Sequence, residues 1–297
     1  MDRVFVTGAS GFLGKNIIHY LQSDYEIVAY SRNPNNANGC TWIQGDILDK
    51  EKLINSMIGS SIVIHLAAIT PYNEINANPF ATFQNYIYGT LNVLEAIWKT
   101  KVNTLIYPSS GKVYGIPNKL PYEEAEYPCP SNLMGKIKLE VENLIKLYSE
   151  MMNNDHRAIV FRIFNAYGRE QSEKFLIPKI INHLKKTEIN LGRTDVKRDY
   201  IHIEDIVSAI KVAIEKSPTG YSVYNLGSGV PVSVKEIIDR ICTISHRRLD
   251  VIQDISQIRN DERDIEYPDI SKMLSLGWHP QISLNVGLEN LLSELTY

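Results

Sequence analysis

Three glycines near the amino terminus constrain this chain more than any other feature. In Met1-Asp-Arg-Val-Phe-Val-Thr-Gly-Ala-Ser-Gly-Phe-Leu-Gly14 they stand three apart, at Gly8, Gly11 and Gly14. Ahead of them Val4-Phe5-Val6 reads as a short buried strand, and residues 15–21 bring apolar side chains at helical spacing. Gly8 allows a sharp turn, Gly11 leaves bare backbone open to an anion, and Gly14 lets the helix lie close on the sheet. Free N–H groups and the positive end of the helix then face a phosphate. Glycines at this spacing between a strand and a helix point to a dinucleotide.

The rest of the chain continues the alternation. Residues 26–32, 41–44, 61–66, 103–107 and 157–163 read as strands, with helices over 48–58, 79–100 and 133–152. Such a series predicts an α/β, doubly wound parallel sheet covered on both faces, with ligands at the carboxyl ends of the strands. Beyond 165 the pattern loosens: helices over 174–186 and 204–216, strands at 199–203 and 224–226, and a helix capped by Ser233. Residues 1–167 are read as the nucleotide-binding domain, with 199–227 returning to it. Residues 168–198 and 228–297 are read as a smaller substrate-binding lobe.

Composition removes other classes. A net charge of −3 gives no basic surplus for nucleic acid or an anionic membrane. No apolar stretch is long enough to span a bilayer, and the amino terminus enters a strand without a signal-peptide pattern, so a cytoplasmic location is expected. Cys40, Cys129 and Cys242 are far apart and read as reduced packing thiols. The seven histidines form no ligand spacing, so no metal is expected.

Several motifs follow in one order: Thr7-Gly-x-x-Gly-Phe-x-Gly14, Gly45-Asp46-Ile47, His65-Leu-Ala-Ala68, Asn85 with Gly89, Thr90 and Leu94, Pro108-Ser-Ser-Gly-Lys-Val-Tyr-Gly115, Arg162-x-Phe-Asn165, Lys197-Arg-Asp-Tyr-Ile-His202 and Asn225-Leu-Gly-Ser-Gly229. The chain resembles the extended short-chain dehydrogenase/reductases, the NAD(P)-dependent epimerase/dehydratase family acting on nucleotide sugars, from residue 3 to about residue 292. The resemblance implies a Rossmann-type fold. It implies that Gly8, Gly11, Phe12, Leu13 and Gly14 hold the pyrophosphate and that Asp46 and Ile47 flank the adenine. Leu66, Ala67, Ala68 and Phe164 would line the cofactor cleft, and Asn85 would lie near its nicotinamide half. On the substrate side it implies Asn165, Arg198 and Arg259 at a diphosphate, with Leu176 and Leu191-Gly192 bordering the base. It also implies a homodimer packed through the helices at 79–100 and 133–152.

An acidic residue at the end of the second strand would accept the ribose hydroxyls of NAD and repel the 2′-phosphate of NADP. Ser31 and Arg32 stand there instead, a hydroxyl and a planar fork of donors suited to a phosphate, so NADP(H) is favoured over NAD(H).

By the same resemblance Ser110 holds the sugar oxygen and Lys138 supplies positive charge and binds the ribose. At the family's catalytic tyrosine position stands Met134, whose thioether carries no useful proton. No tyrosine of the chain has a lysine four residues after it. Three readings stay open: Ser110, a water or another residue relays the proton; a distant tyrosine such as Tyr72 reaches the sugar; or catalysis is lost and the protein only binds. Gly111 and Lys112 replace the Asp-Glu pair of the dehydrating members, and Lys112 is a candidate to polarise a carbonyl. The expected activity is NADPH-dependent reduction of a nucleotide-linked 4-keto-6-deoxy sugar. The runner-up is a nucleotide-sugar 4-epimerase.

Overall fold

A parallel strand buried on both faces needs apolar side chains at successive positions, and β1 (Arg3–Thr7) provides them. Val4 and Val6 enter the core on one side of the sheet and Phe5 the core on the other. The computed structural model describes residues 1–34, 39–68, 72–116, 119–258 and 263–294, with the side chains of 72–74 excluded.

In chain order β1 is followed by α1 (Phe12–Leu21), β2 (Glu26–Ser31), β3 (Thr41–Gln44), α2 (Lys50–Met57), β4 (Ile62–His65), α3 (Tyr72–Ala77) and α4 (Pro79–Thr100). Then come β5 (Thr104–Ser110), a 3₁₀ turn (Gly111–Val113), α5 (Leu133–Met151), β6 (Arg157–Ile163), β7 (Asn165–Tyr167) and α6 (Leu176–His183). The remainder is β8 (Glu188–Leu191), β9 (Lys197–His202), α7 (Ile203–Lys216), β10 (Gly220–Leu226), β11 (Pro231–Ser233), α8 (Val234–Ser245), β12 (Asp250–Gln253), a further 3₁₀ turn (Ile255–Gln257), β13 (Ile265–Glu266), α9 (Ser271–Ser275) and α10 (Leu284–Ser293).

Seven parallel strands form the main sheet in the order β10-β6-β5-β4-β1-β2-β3. The chain builds outward from β1 to β3 and then returns to lay β4 on the other flank of β1. Neighbouring connections therefore diverge between β1 and β4, and a crevice opens beyond their carboxyl ends. The cores of α1 and α7 cover one face, and those of α2, α4 and α5 the other. Helix starts follow local chemistry: the Asn78 side chain accepts from Ala81 N–H ahead of Pro79, and Ser233 forms a capping box with Glu236.

The smaller lobe has its own core, including Ile180, Ile237, Ile241 and Leu288. Its sheet runs β11-β9-β13, with β7 pairing β9, and β8 pairs β12 separately. Two short segments expected in the larger domain belong here instead. After Phe164, whose N–H still bonds Leu226 O at 3.0 Å, the chain leaves the main sheet, and Asn165–Tyr167 pairs with 200–202 of β9. Of the segment 199–227, β10 joins the main sheet and α7 packs on its face. Cys129 is exposed, which corrects its reading as a packing thiol; Cys40 and Cys242 are half-buried. No helix among the described residues is long and apolar enough to cross a membrane.

One buried ion pair ties α5 to the sheet. Arg162 on β6 meets the Glu142 carboxylate with Nη2–Oε2 at 2.8 Å, and the Ser109 hydroxyl on β5 donates to the same carboxylate. The guanidinium also lies 4.7 Å from the centre of the Tyr114 ring. Burial disfavours the arginine's charge, but Glu142 outweighs it and holds Arg162 above its usual range. Removing one partner strands the other charge in the interior, so Arg162→Met is expected to cost about 3–5 kcal/mol. Chemical denaturation checks this, as a lower midpoint at unchanged slope.

Candidate active site

The carboxyl ends of β1, β2, β4, β5 and β6 open into one cavity of about 1080 Å³. Gly8, Gly11, Phe12, Leu13, Gly14, Ser31, Arg32, Asp46, Ile47, Leu66, Ala67, Ala68 and Asn85 all line it. So do Ser110, Lys112, Met134, Lys138, Phe164, Asn165, Leu176 and Arg198. Arg259 and the Tyr72 side chain lie outside the described residues. Leu191 sits in the core of the smaller lobe rather than at the cavity, and Gly192 packs its backbone against Gln257.

At the bend, Gly8 has φ +66° and a Cβ there would stand 2.7 Å from Ala67 N. A Cβ on Gly14 would stand 2.5 Å from Ala9 O, so α1 begins directly on the turn. The helix starts at Phe12, three residues before the apolar spacing suggests, because Gly11 is its cap. Its first turn holds no acidic side chain, leaving the positive end of the helix open to the cavity. Asn85 Oδ1, on α4, is buried with no hydrogen-bond partner in the structure. Bare backbone, an uncovered helix start and an unpartnered buried acceptor fit a dinucleotide that brings phosphates and donors.

At the end of β2, Ser31 Oγ is 2.6 Å from Ser10 Oγ and Arg32 is exposed at the cavity rim. Tyr30 OH donates to Asp46 O at 2.9 Å, and the Asp46 carboxylate accepts from Leu48 N–H at 2.9 Å, which fixes this side of the cleft. Below the bend, Thr7 Oγ1 accepts from Leu66 N–H and Ala67 N–H at 3.1 and 3.2 Å. Its own proton therefore goes to His65 Nδ1 at 2.8 Å, leaving Nε2–H for Thr90 Oγ1 at 3.2 Å. Burial, with Lys138 nearby, pulls His65 down to about 3, so it is a neutral strut. Thr7 and Thr90 were legible only as motif letters.

Ser110 ends β5, and its Oγ accepts Lys112 N–H at 3.2 Å. Met134 is half-buried in the first turn of α5. One turn on, Lys138 Nζ donates to Pro108 O at 2.7 Å and lies 4.5 Å from the Tyr107 ring centre. Burial pulls Lys138 down to about 7, with Glu142 partly opposing. On the smaller lobe's side, Asn165 Nδ2 donates to Asp199 O at 2.8 Å. Arg198 Nε stands 2.9 Å from Glu266 Oε2, which Lys112 Nζ reaches at 2.6 Å. Glu266 was not legible as a site residue: it lies in a two-residue strand, 154 positions from Lys112, with no motif around it.

The profile of the NAD dependent epimerase/dehydratase family matches residues 4–227, and the chain belongs to that family. GDP-6-deoxy-D-mannose reductase of Pseudomonas aeruginosa is 30% identical over 305 residues, spanning 99% of this chain and 97% of the relative. A putative UDP-glucose 4-epimerase of Methanocaldococcus jannaschii is 30% identical over 304 residues, spanning 98% and 97%. Among solved structures, MoeE5 in complex with UDP-glucose and NAD aligns with a TM-score of 0.90 at 26% identity, covering 99% of this chain and 98% of that one. RMD from Pseudomonas aeruginosa complexed with NADPH aligns with a TM-score of 0.87 at 28% identity, covering 99% and 98%.

The Lys138 environment makes stability depend on pH. Between about 7 and the ordinary 10.5 the folded protein holds fewer protons at this site than the unfolded chain, so stability from this group rises with pH. The burial cost is full below the lower value and fades toward the upper one. Lys138→Met is therefore expected to raise the melting temperature of the ligand-free protein at pH 6.5–7 (approximate working range), with the gain shrinking toward pH ~10. A gain independent of pH, or a loss at both ends, contradicts this.

Proposed function

We propose that the chain is an NADPH-dependent reductase of a nucleotide-linked 4-keto sugar, a 6-deoxyhexose by preference. The observation that carries the reading is the end of β2, where Ser31 and exposed Arg32 line the cavity in the place of an acidic residue. A 2′-phosphate gains charge-assisted bonds there and meets no acidic residue at the end of β2. A reduced cofactor that exchanges with the solution pool suits net reduction. Relatives that include both a GDP-6-deoxy-D-mannose reductase and a putative UDP-glucose 4-epimerase support work on a nucleotide sugar.

Gly8, Gly11, Phe12, Leu13 and Gly14 would hold the pyrophosphate against the start of α1, and Asp46 and Ile47 the adenine. Leu66, Ala67, Ala68, Phe164 and Asn85 would enclose the nicotinamide half. When bound, the dinucleotide supplies hydride from C4 of its ring. Ser110 would hold the sugar oxygen, and Lys138 would turn from Pro108 O to the ribose hydroxyls, adding positive potential near the carbonyl. Asn165 and Arg198 would take the diphosphate, with Arg259 as a third contact. A two-fold dimer is part of the same reading: Phe80, Phe83, Tyr88, Leu91 and Trp98 of α4 are exposed, as are Leu147 and Met151 of α5.

Following NADPH absorbance against a panel of 4-keto nucleotide sugars tests the activity. Wild type is expected to oxidise NADPH, and Lys138→Ala to lose most of the rate. Turnover of a nucleotide sugar without net NADPH oxidation supports the 4-epimerase, and cofactor binding without turnover a binding protein. Arg32→Ala is expected to weaken NADPH by about tenfold, roughly the worth of one charge-assisted contact, and to leave NADH nearly unchanged. Equal effects on both, by titration calorimetry, contradict the NADPH preference.

A further inference from the structure

We propose that Lys112 delivers the proton that Met134 cannot, with Glu266 as the residue that positions it; the proposal rests on the reductase reading. Met134 and Ser110 line the same cavity, and Met134 holds the family's catalytic tyrosine position, where a proton donor is needed. Its successor, Gly135, brings Lys112 there. A Cβ on Gly135 would run into the Lys112 carbonyl oxygen and stand 2.9 Å from Pro130 Cβ. Without a side chain at Gly135, the 3₁₀ turn lies directly on the first turn of α5, next to Met134. Within that turn the Lys112 N–H is tied to Ser110 Oγ at 3.2 Å, so the sugar-holding hydroxyl and the lysine keep a fixed relation.

The ammonium is held from the far side. Lys112 Nζ lies 2.6 Å from Glu266 Oε2, and the Glu266 side chain is 8% exposed against 31% for Lys112. Arg198 Nε at 2.9 Å and Arg263 Nη1 at 3.3 Å share that carboxylate. Glu266 is in register with Arg198 across β13 and β9, which anchors it to the smaller lobe's sheet. Burial disfavours its charge, but Lys112 and Arg198 outweigh burial and keep it a carboxylate. One buried carboxylate therefore gathers two cations that line the cavity. An ammonium has three N–H donors, so a bond to Glu266 is compatible with another to a carbonyl oxygen.

Two other proton carriers have other tasks, Lys138 at the ribose in the reading above and Tyr114 in the interior. Lys138 Nζ donates to Pro108 O at 2.7 Å, and Tyr114 OH donates to Asn225 Oδ1 at 2.6 Å. In the proposed step the carbonyl carbon accepts a hydride with its two electrons, and the carbonyl π pair moves onto oxygen. The Nζ–H bond of Lys112 breaks as the O–H bond forms. The neutral amine then regains a proton from solvent water.

Lys112→Met preserves much of the stem and leaves Glu266 paired with Arg198 and Arg263, so the fold is expected to survive. In the NADPH assay its kcat is expected to fall by about 10²–10⁴-fold, with KM for the 4-keto nucleotide sugar and the NADPH dissociation constant little changed. Lys112→Arg keeps the charge but not a transferable proton, and is expected to stay slow. Methylamine added to Lys112→Ala is expected to restore part of the rate. Glu266→Gln is expected to lower kcat less than Lys112→Met and to raise KM through Arg198, with Glu266→Asp recovering part of both. An active wild type with unimpaired Lys112→Met, or with full activity in Lys112→Arg, overturns the assignment and leaves the reductase reading standing. A wild type inert on every 4-keto nucleotide sugar overturns both.

Discussion

Everything in this fold depends on how closely two strands' ends approach at the glycine bend. Gly8 turns with φ +66° and leaves no room for a Cβ beside Ala67 N, so the chain after β1 lies against the chain after β4. These adjacent strands lead to opposite flanks of the sheet, and the crevice between their connections is where a parallel α/β sheet can bind a ligand. The Thr7 hydroxyl, accepting from Leu66 and Ala67 N–H and donating to His65, locks that approach from below. A bulky residue at the turn would separate the strand ends and tilt α1 away from the phosphate position.

Buried charge does the remaining work of assembly, in two clusters with different tasks. Glu142 and Arg162, with Ser109, fasten α5 to β5 and β6, and so fix the level at which Met134 and Lys138 enter the cavity. Glu266, with Arg198, Arg263 and Lys112, joins the smaller lobe to the turn after β5. Each carboxylate is acceptable in the interior because it is paired and hydrogen-bonded rather than alone. Lys138 is different. Its contacts are a carbonyl and ring faces, and burial brings it to about 7, so a ligand offering acceptors has something to gain from it.

Much of this was legible in the sequence, for physical reasons that can be named. Strands β1, β4 and β6 at the centre of the main sheet carry continuous apolar runs, and α4 begins at an Asn-Pro cap, so their positions follow from local chemistry. The glycine spacing marked the bend, and the ordered motifs marked residues that the fold brings to one cavity, from Gly8 to Arg198. The smaller lobe was harder to read. Its strands are two to six residues long and β12 is exposed along its whole length, so of these only β9 stood out, as 199–203. That is why Asn165–Tyr167 and residues 200–202 of β9, which pair with each other in the smaller sheet, were expected with the larger domain. Glu266 was illegible because its meaning comes from Lys112 and Arg198, both far away in sequence. Met134, by contrast, was visible as a departure from the family, but what surrounds it needed the fold.

Titration calorimetry of NADPH against wild type and Gly11→Ala tests the central claim most directly. Gly11 has φ −77° and ψ 175°, which any residue adopts, and a Cβ there would meet only Gly8 O at 3.3 Å. The substitution is therefore expected to leave the ligand-free melting temperature nearly unchanged while placing a methyl group where the pyrophosphate must lie. One NADPH per wild-type chain, with binding at least about tenfold weaker in Gly11→Ala, is the expected result. Equal affinity in the two proteins, or no NADPH binding by wild type, would contradict it.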